Sequence, residues 1–392
     1  MQKYDFDKVI DRRGTGAIKT DALQVRYGND GLLPLWIADM DFETPEFITA
    51  TLRQRMEHPI FGYTQIPAGY YQSIVQWLKE VQQWDVNPQW ITYIPGIVTG
   101  IGLVLNVLTE QGDGVLIQPP VYHMFRLLIE NNGRQVVNNP LKFINGRYEM
   151  DFDHLEQTLS KQPCKLLILC NPHNPGGMVW SHDTLAKLSE ICERHHVTVV
   201  ADEIHADMTL YGHRHTPYAA VSDAAARHSI TFSAPSKTFN IAGLITSFAV
   251  TPDDTLRHRF YSWLHANELN SPNILSAIAA EAAYTHGHEW RLQLIQYLES
   301  NIDFIDRYIS EHIPAIRVVK PEASFLVWLD CRKLGLPQSA LIDLFEHKAG
   351  LALNNGAMFG EGGEGFMRIN IGTPRSVLEI ALKKLLNSLT YI

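Results

Sequence analysis

Short apolar runs separated by helical stretches set the tightest limit on what this 392-residue chain can fold into. Residues 115–118, 165–170, 197–201, 229–232 and 245–250 have strand length and little alternation of polarity. Strands apolar on both faces belong to a mostly parallel sheet covered on both sides, which is an α/β architecture. The intervening segments agree. Residues 97–111 read as a helix ending at the turn Gly112-Asp113-Gly114. Ser181 caps a second helix whose apolar positions Leu185, Leu188, Ile191 and Cys192 recur at helical spacing.

After Pro272 the rhythm changes. Ile295, Leu298, Ile302, Ile305 and Ile309 alternate spacings of three and four, so one face of a long helix is apolar and can bridge to a second domain. The tail holds strand candidates at 325–329 and 367–371 and helices around 340–347 and 376–389, an α+β pattern. The length exceeds what one core usually serves, so two domains are expected: a large one at 45–285, and a smaller one from 1–44 with 286–392. A net charge of −9 opposes a general nucleic-acid surface, and no apolar run reaches membrane-spanning length. The N-terminus is charged from its third residue, which does not suggest a signal peptide. Cys164, Cys170, Cys192 and Cys331 have neither CxxC spacing nor the look of a disulfide framework. A reduced, cytoplasmic protein without nucleic-acid or membrane partners is expected.

In such a sheet, chemistry gathers at the carboxyl ends of the strands. Read in order, those ends form a meaningful list. YIPGIVTG (93–100) is a glycine turn entering a helix, where free N–H groups suit a phosphate, although such turns precede many helices. PPVY (119–122) puts Tyr122 at a strand end, as a core ring or as a plate over a ligand. NPHNPGG (171–177) is richer in Asn, Pro and Gly than a plain turn requires. Asp202 closes a buried strand, where its carboxylate must reach water or meet a cation. SAPSK (233–237) ends on Lys237, an amine among small residues that either snorkels to water or points into a site. The paired histidines 195/196, 213/215 and 286/288 lack acidic or cysteine partners at ligand spacing, so no metal site is expected.

On these residues the chain resembles the class I/II aminotransferase family of pyridoxal-phosphate enzymes, fold type I, over essentially its whole length. The Asn-Pro-x-Asn-Pro-x-Gly and Ser-Lys motifs carry the likeness. LWIADMDF (35–42) and APSKTFNIAG (234–243) resemble the cystathionine β-lyase branch of carbon–sulfur lyases. The resemblance implies pyridoxal 5'-phosphate held covalently by Lys237, whose amine then moves the α-proton. It implies Asp202 on the pyridine nitrogen, Asn174 on the ring hydroxyl and Tyr122 on the ring face. Backbone N–H groups of Ile97 and Val98, with a hydroxyl of Ser233 or Ser236, are implied for the phosphate. Tyr63 resembles a tyrosine that reaches the phosphate from the neighbouring subunit, which implies a homodimer with shared active sites. Arg368 is implied for the substrate carboxylate, with Asn174, Trp36 and Ala38 beside it. Cis peptides are expected at Pro119-Pro120 and Asn174-Pro175.

Three positions depart from the family pattern. Ile245 stands where a basic residue often helps the phosphate. His205 replaces a tyrosine that bonds the ring hydroxyl; it is placed at the cofactor with its role open. HANELNSPN (265–273) has no arginine, which disfavours aspartate or glutamate as substrate. The expected activity is a carbon–sulfur β-lyase on an amino-acid substrate, cystathionine or a related cysteine conjugate. The alternative is an aminotransferase for aromatic or neutral amino acids. A non-catalytic binding protein is opposed by the intact lysine and aspartate.

Overall fold

The computed structural model describes residues 3–389, so Met1, Gln2 and residues 390–392 of the expected small domain lie outside it. The apolar runs become a seven-stranded sheet of β1 (Ile91–Tyr93), β2 (Gly114–Ile117), β3 (Gln135–Asn138), β4 (Cys164–Cys170), β5 (Thr198–Asp202), β6 (Ser229–Ser233) and β7 (Phe248–Val250). Their spatial order is β1-β7-β6-β5-β4-β2-β3. The pairs from β6 through to β3 are parallel, and β7 runs antiparallel to both of its neighbours. β1, β2, β6 and β7 are buried at every residue, which is why they lack polar alternation.

Several details differ from the sequence expectation, among them the end of the 97–111 helix, which stops at Leu108. β3 is an edge strand with one fully buried residue, Val137, so its polar composition hid it. β7 starts at Phe248 and not at Ile245, because Ile245 has a left-handed backbone with φ of 55° after a short helical turn. Residues 245–247 therefore leave the sheet and become available to a cavity wall.

Helix α1 (Ile97–Leu108) begins at Gly96, whose φ of 100° is one that side chains other than glycine rarely adopt. α2 (His182–Arg194) is capped by the Ser181 hydroxyl, which accepts from the Thr184 N–H. The long helix α3 (His288–His312) buries Leu294, Leu298, Ile302, Ile305 and Ile309, with Ile295 rotated to the margin of the stripe. A second, antiparallel sheet contains β8 (Arg317–Val319), β9 (Leu326–Asp330), β10 (Asn354–Asn355) and β11 (Phe366–Asn370), in the order β8-β9-β11-β10. The expected helix at 340–347 runs as Gln338–Asp343 and widens into a π turn over Leu344–Lys348. α4 (Arg375–Leu389) presses Leu378, Ala381, Leu382 and Leu385 into the same core.

The N-terminal segment forms a separate two-stranded sheet and is tied to the second sheet by one backbone bond. Leu33–Pro34 pairs in parallel with Leu351–Ala352, and the Asn370 N–H donates to the Leu35 carbonyl at 2.9 Å. Pro119-Pro120 and Asn174-Pro175 are cis, as is Asn171-Pro172. All four cysteines are buried and unpaired. Among the described residues no helix is long and apolar enough to cross a membrane, and no side-chain cluster suits a metal ion.

Candidate active site

β4, β5 and β6 end at one level, and the start of α1 faces them across a cavity of about 370 Å³. The chain order of the strand ends delivers Asn174, Asp202, Ser236 and Lys237 to its lining, together with Tyr122, which follows β2. Residues 96–99 open α1 beside them, so unpaired N–H groups and the positive end of the helix dipole face the cavity.

The Lys237 side chain is half-buried, and what it exposes borders the cavity. Its Nζ donates to the Ala38 carbonyl. Burial brings its pKa down from 10.5 to about 8; Asp39 and Asp202 oppose the shift, and Arg368 adds to it. Asp202 is 5% exposed, and burial raises its pKa to about 6 although one oxygen accepts the Ile204 N–H at 3.1 Å. A carboxylate in this state is poised to meet a cation from the cavity. His205 is buried and its Nδ1 has no partner; burial, with Lys237 and Arg368 near, drops its pKa to about 3, so the ring is neutral.

Arg368 comes from the second sheet. It lies on β11, is 4% exposed, and donates to Asn174 Oδ1 at 2.9 Å, Asn354 Oδ1 at 2.6 Å and the Trp36 carbonyl at 3.1 Å. The guanidinium sits 4.9 Å from the Phe359 ring centre. Every acceptor it has is neutral, its Nε–H has no partner, and burial lowers its pKa to about 10. A buried cation in that position lacks its anion.

The structure does not bring every expected residue to the cavity. Ser233, the last residue of β6, is buried and is not among the residues that line the cavity, so Ser236 is the serine in the cavity wall. Trp36 offers Arg368 its carbonyl, while its indole N–H donates to Lys19 and its ring packs edge-on against Tyr27. Tyr63 is fully exposed and lies away from the cavity of its own chain. Three contributors went unnoticed in the sequence. Thr99 and Thr246 line the cavity, and the Thr246 hydroxyl is buried without a partner. Asn354 holds Arg368. Thr246 adjoins Ile245, the position whose missing basic residue was the available signal.

These features fit the expected cofactor. An aromatic ring with a protonatable nitrogen suits Tyr122 and Asp202, an aldehyde suits Lys237, and a phosphate suits the α1 start with the orphaned Thr246 hydroxyl.

A sequence profile described as aminotransferase class I and II matches residues 31–385. The cystathionine β-lyase PatB of Bacillus subtilis is 44% identical over 97% of this chain and 98% of its own. A PLP-bound structure from Clostridium difficile 630, provisionally named an aminotransferase, superposes with a TM-score of 0.96 at 41% identity, covering 99% of this chain and all of that one. Cystalysin from Treponema denticola, which contains pyridoxal 5'-phosphate, superposes with a TM-score of 0.95 at 32% identity over the full length of both chains.

Proposed function

This chain belongs to the aminotransferase class I and II family, and on that premise we propose that its Lys237 cavity serves a pyridoxal-phosphate-dependent carbon–sulfur β-lyase. The enzyme cleaves L-cystathionine or a related cysteine S-conjugate with uptake of water, yielding a thiol, pyruvate and ammonia. The observation that carries this reading is Arg368, a buried guanidinium tied to Asn174 and lacking an anion, suited to the α-carboxylate of an amino acid. The 44% identity to a cystathionine β-lyase supports cleavage at sulfur.

Pyridoxal phosphate supplies an electron sink for the pair left behind when the α-proton departs. The protein's own groups would do the rest. Lys237 would hold the cofactor aldehyde, and its free amine, weakened as a base by burial, would take the α-proton. Asp202 would keep the ring nitrogen protonated. Asn174 has its Oδ1 committed to Arg368, which leaves its Nδ2 to donate to the ring hydroxyl. Tyr122 would cover one ring face. The N–H groups of Ile97 and Val98, with the hydroxyls of Ser236 and Thr246, would take the phosphate. Arg368 would grip the carboxylate and so fix which bond at Cα stands across the ring.

The working form in this proposal is a homodimer, supported by the full exposure of Tyr63 on the single chain. Residues 45–285 would bind the cofactor, and 1–44 with 286–392 would form the smaller domain; the pairing of Leu33–Pro34 with Leu351–Ala352 supports that division. Four unpaired cysteines suit a reducing cytoplasm.

The test is direct. Purified protein loaded with pyridoxal phosphate and given L-cystathionine should release pyruvate and free thiol in equal amounts. Amino-group exchange without free thiol would replace this reading with an aminotransferase for aromatic or neutral amino acids.

A further inference from the structure

The segment 36–41 touches both cations of the site through its backbone. The Trp36 carbonyl accepts from Arg368 and the Ala38 carbonyl accepts from Lys237 Nζ. Neither carbonyl belongs to a helix or a strand, so something else must fix their direction.

That something is a compact box of charges. Arg12 spans both oxygens of Asp39, at 3.0 and 2.7 Å, and also reaches Asp41 at 2.9 Å. Lys19, 0% exposed, donates to Asp41 at 2.8 Å and to the Asp39 carbonyl at 3.2 Å. Two cations thus neutralise two carboxylates two residues apart, and the Lys19 backbone carbonyl accepts the Trp36 indole. Further carbonyls of the segment are also held. Asn370 Nδ2 donates to the carbonyls of Ile37 and Asp39, each at 2.6 Å. Asn240, three residues after Lys237, bonds Met40 through both its N–H and its carbonyl. A buried ammonium is costly unless it is paired, so a box this enclosed specifies one backbone path.

We propose that segment 36–41 is a positioning arm that sets the free Lys237 amine and the Arg368 guanidinium in register with each other, and that Arg12, Lys19, Asp39 and Asp41 are the positioning residues that hold it. The proposal rests on the site reading above. Arg12 and Lys19 touch neither the cavity nor Arg368. They act through segment 36–41, by way of Asp39, Asp41 and the Trp36 indole.

The test uses 3-(methylthio)propionate, which carries the carboxylate and the Cβ–S bond but no amine, and so binds without reacting. Calorimetry on the cofactor-free protein reads its affinity, and steady-state kinetics on the loaded enzyme reads kcat and KM separately. In Lys19→Met the probe should bind about tenfold more weakly. In the same variant kcat should fall by up to about a hundredfold, because the amine is misplaced as well. Cofactor occupancy, read by visible absorbance, should stay at the wild-type level. Arg12→Lys keeps the charge but loses the fork on Asp39. It should move both readouts in the same direction by about threefold, which keeps the test decisive if Lys19→Met does not fold. A lower melting temperature with unchanged probe affinity and unchanged kcat would make the box purely structural and overturn the proposal. If the wild-type protein binds the probe no better than Arg368→Met does, the carboxylate reading itself falls and the arm has nothing to position.

Discussion

Stripped of its cofactor, the protein should recapture pyridoxal phosphate at a rate that climbs with pH to a midpoint near 8, because only the neutral Lys237 amine attacks the aldehyde. The sign follows from the direction of the shift. Burial lowers the pKa, so the amine loses its proton earlier on the way up, and the neutral share saturates above the midpoint. At pH 7 about one amine in ten is neutral at a pKa near 8, against roughly one in three thousand for an ordinary lysine. Capture at neutral pH should therefore be about 300-fold faster than for an unperturbed lysine of equal reach. Stopped-flow absorbance from pH 6 to 10 measures this, and a free lysine derivative run in parallel divides out titration of the cofactor itself. The charges facing the amine give two internal checks. Asp39→Asn removes the anion that most opposes the shift, so the midpoint should drop. Arg368→Met removes a cation that adds to it, so the midpoint should rise. A wild-type midpoint at 10 or above, or movement of the two variants in the reverse directions, would refute the electrostatic account.

Asp202→Asn keeps the shape of the side chain but removes the anion; kcat for cystathionine should fall by about a hundredfold or more, and an unchanged kcat would mean that Asp202 does not face the ring nitrogen. Arg368→Lys retains charge without the fork, and kcat/KM should drop about ten- to a hundredfold while cofactor absorbance stays constant. Mixing Tyr63→Phe chains with Lys237→Ala chains should restore part of the activity if sites are shared between subunits; no recovery after confirmed subunit exchange would count against the sharing of sites.

Where the sequence was legible, burial had left a mark on composition. β2, β5 and β6 sit deep in the sheet, so their apolar runs were unambiguous, and Asp202 and Lys237 stood out at their ends. β3 left no such mark, because an edge strand accepts Gln135 and Asn138. Ile245 misled in the opposite sense, since an apolar β-branched residue suggests a strand while its backbone is left-handed. The choice between Ser233 and Ser236 turns on which way each side chain faces, and residue type alone says nothing about that. Arg12, Lys19 and Asn354 were invisible for another reason. Each matters through a partner distant along the chain, and a single sequence records residues without their pairings.

The buried cysteines matter for an enzyme that sheds sulfur. The thiols it releases form disulfides on oxidation, and those disulfides exchange with exposed protein thiolates. Here burial pushes every thiol above its ordinary value, Cys164 to about 11 and Cys170, Cys192 and Cys331 further still. Even Cys170, which borders the cavity, spends its hydrogen on the Pro172 carbonyl and accepts the Asn174 N–H on its sulfur. At neutral pH the protein thus offers disulfides formed from its product almost no thiolate for exchange, and it can work in a stream of reactive sulfur without being capped by it.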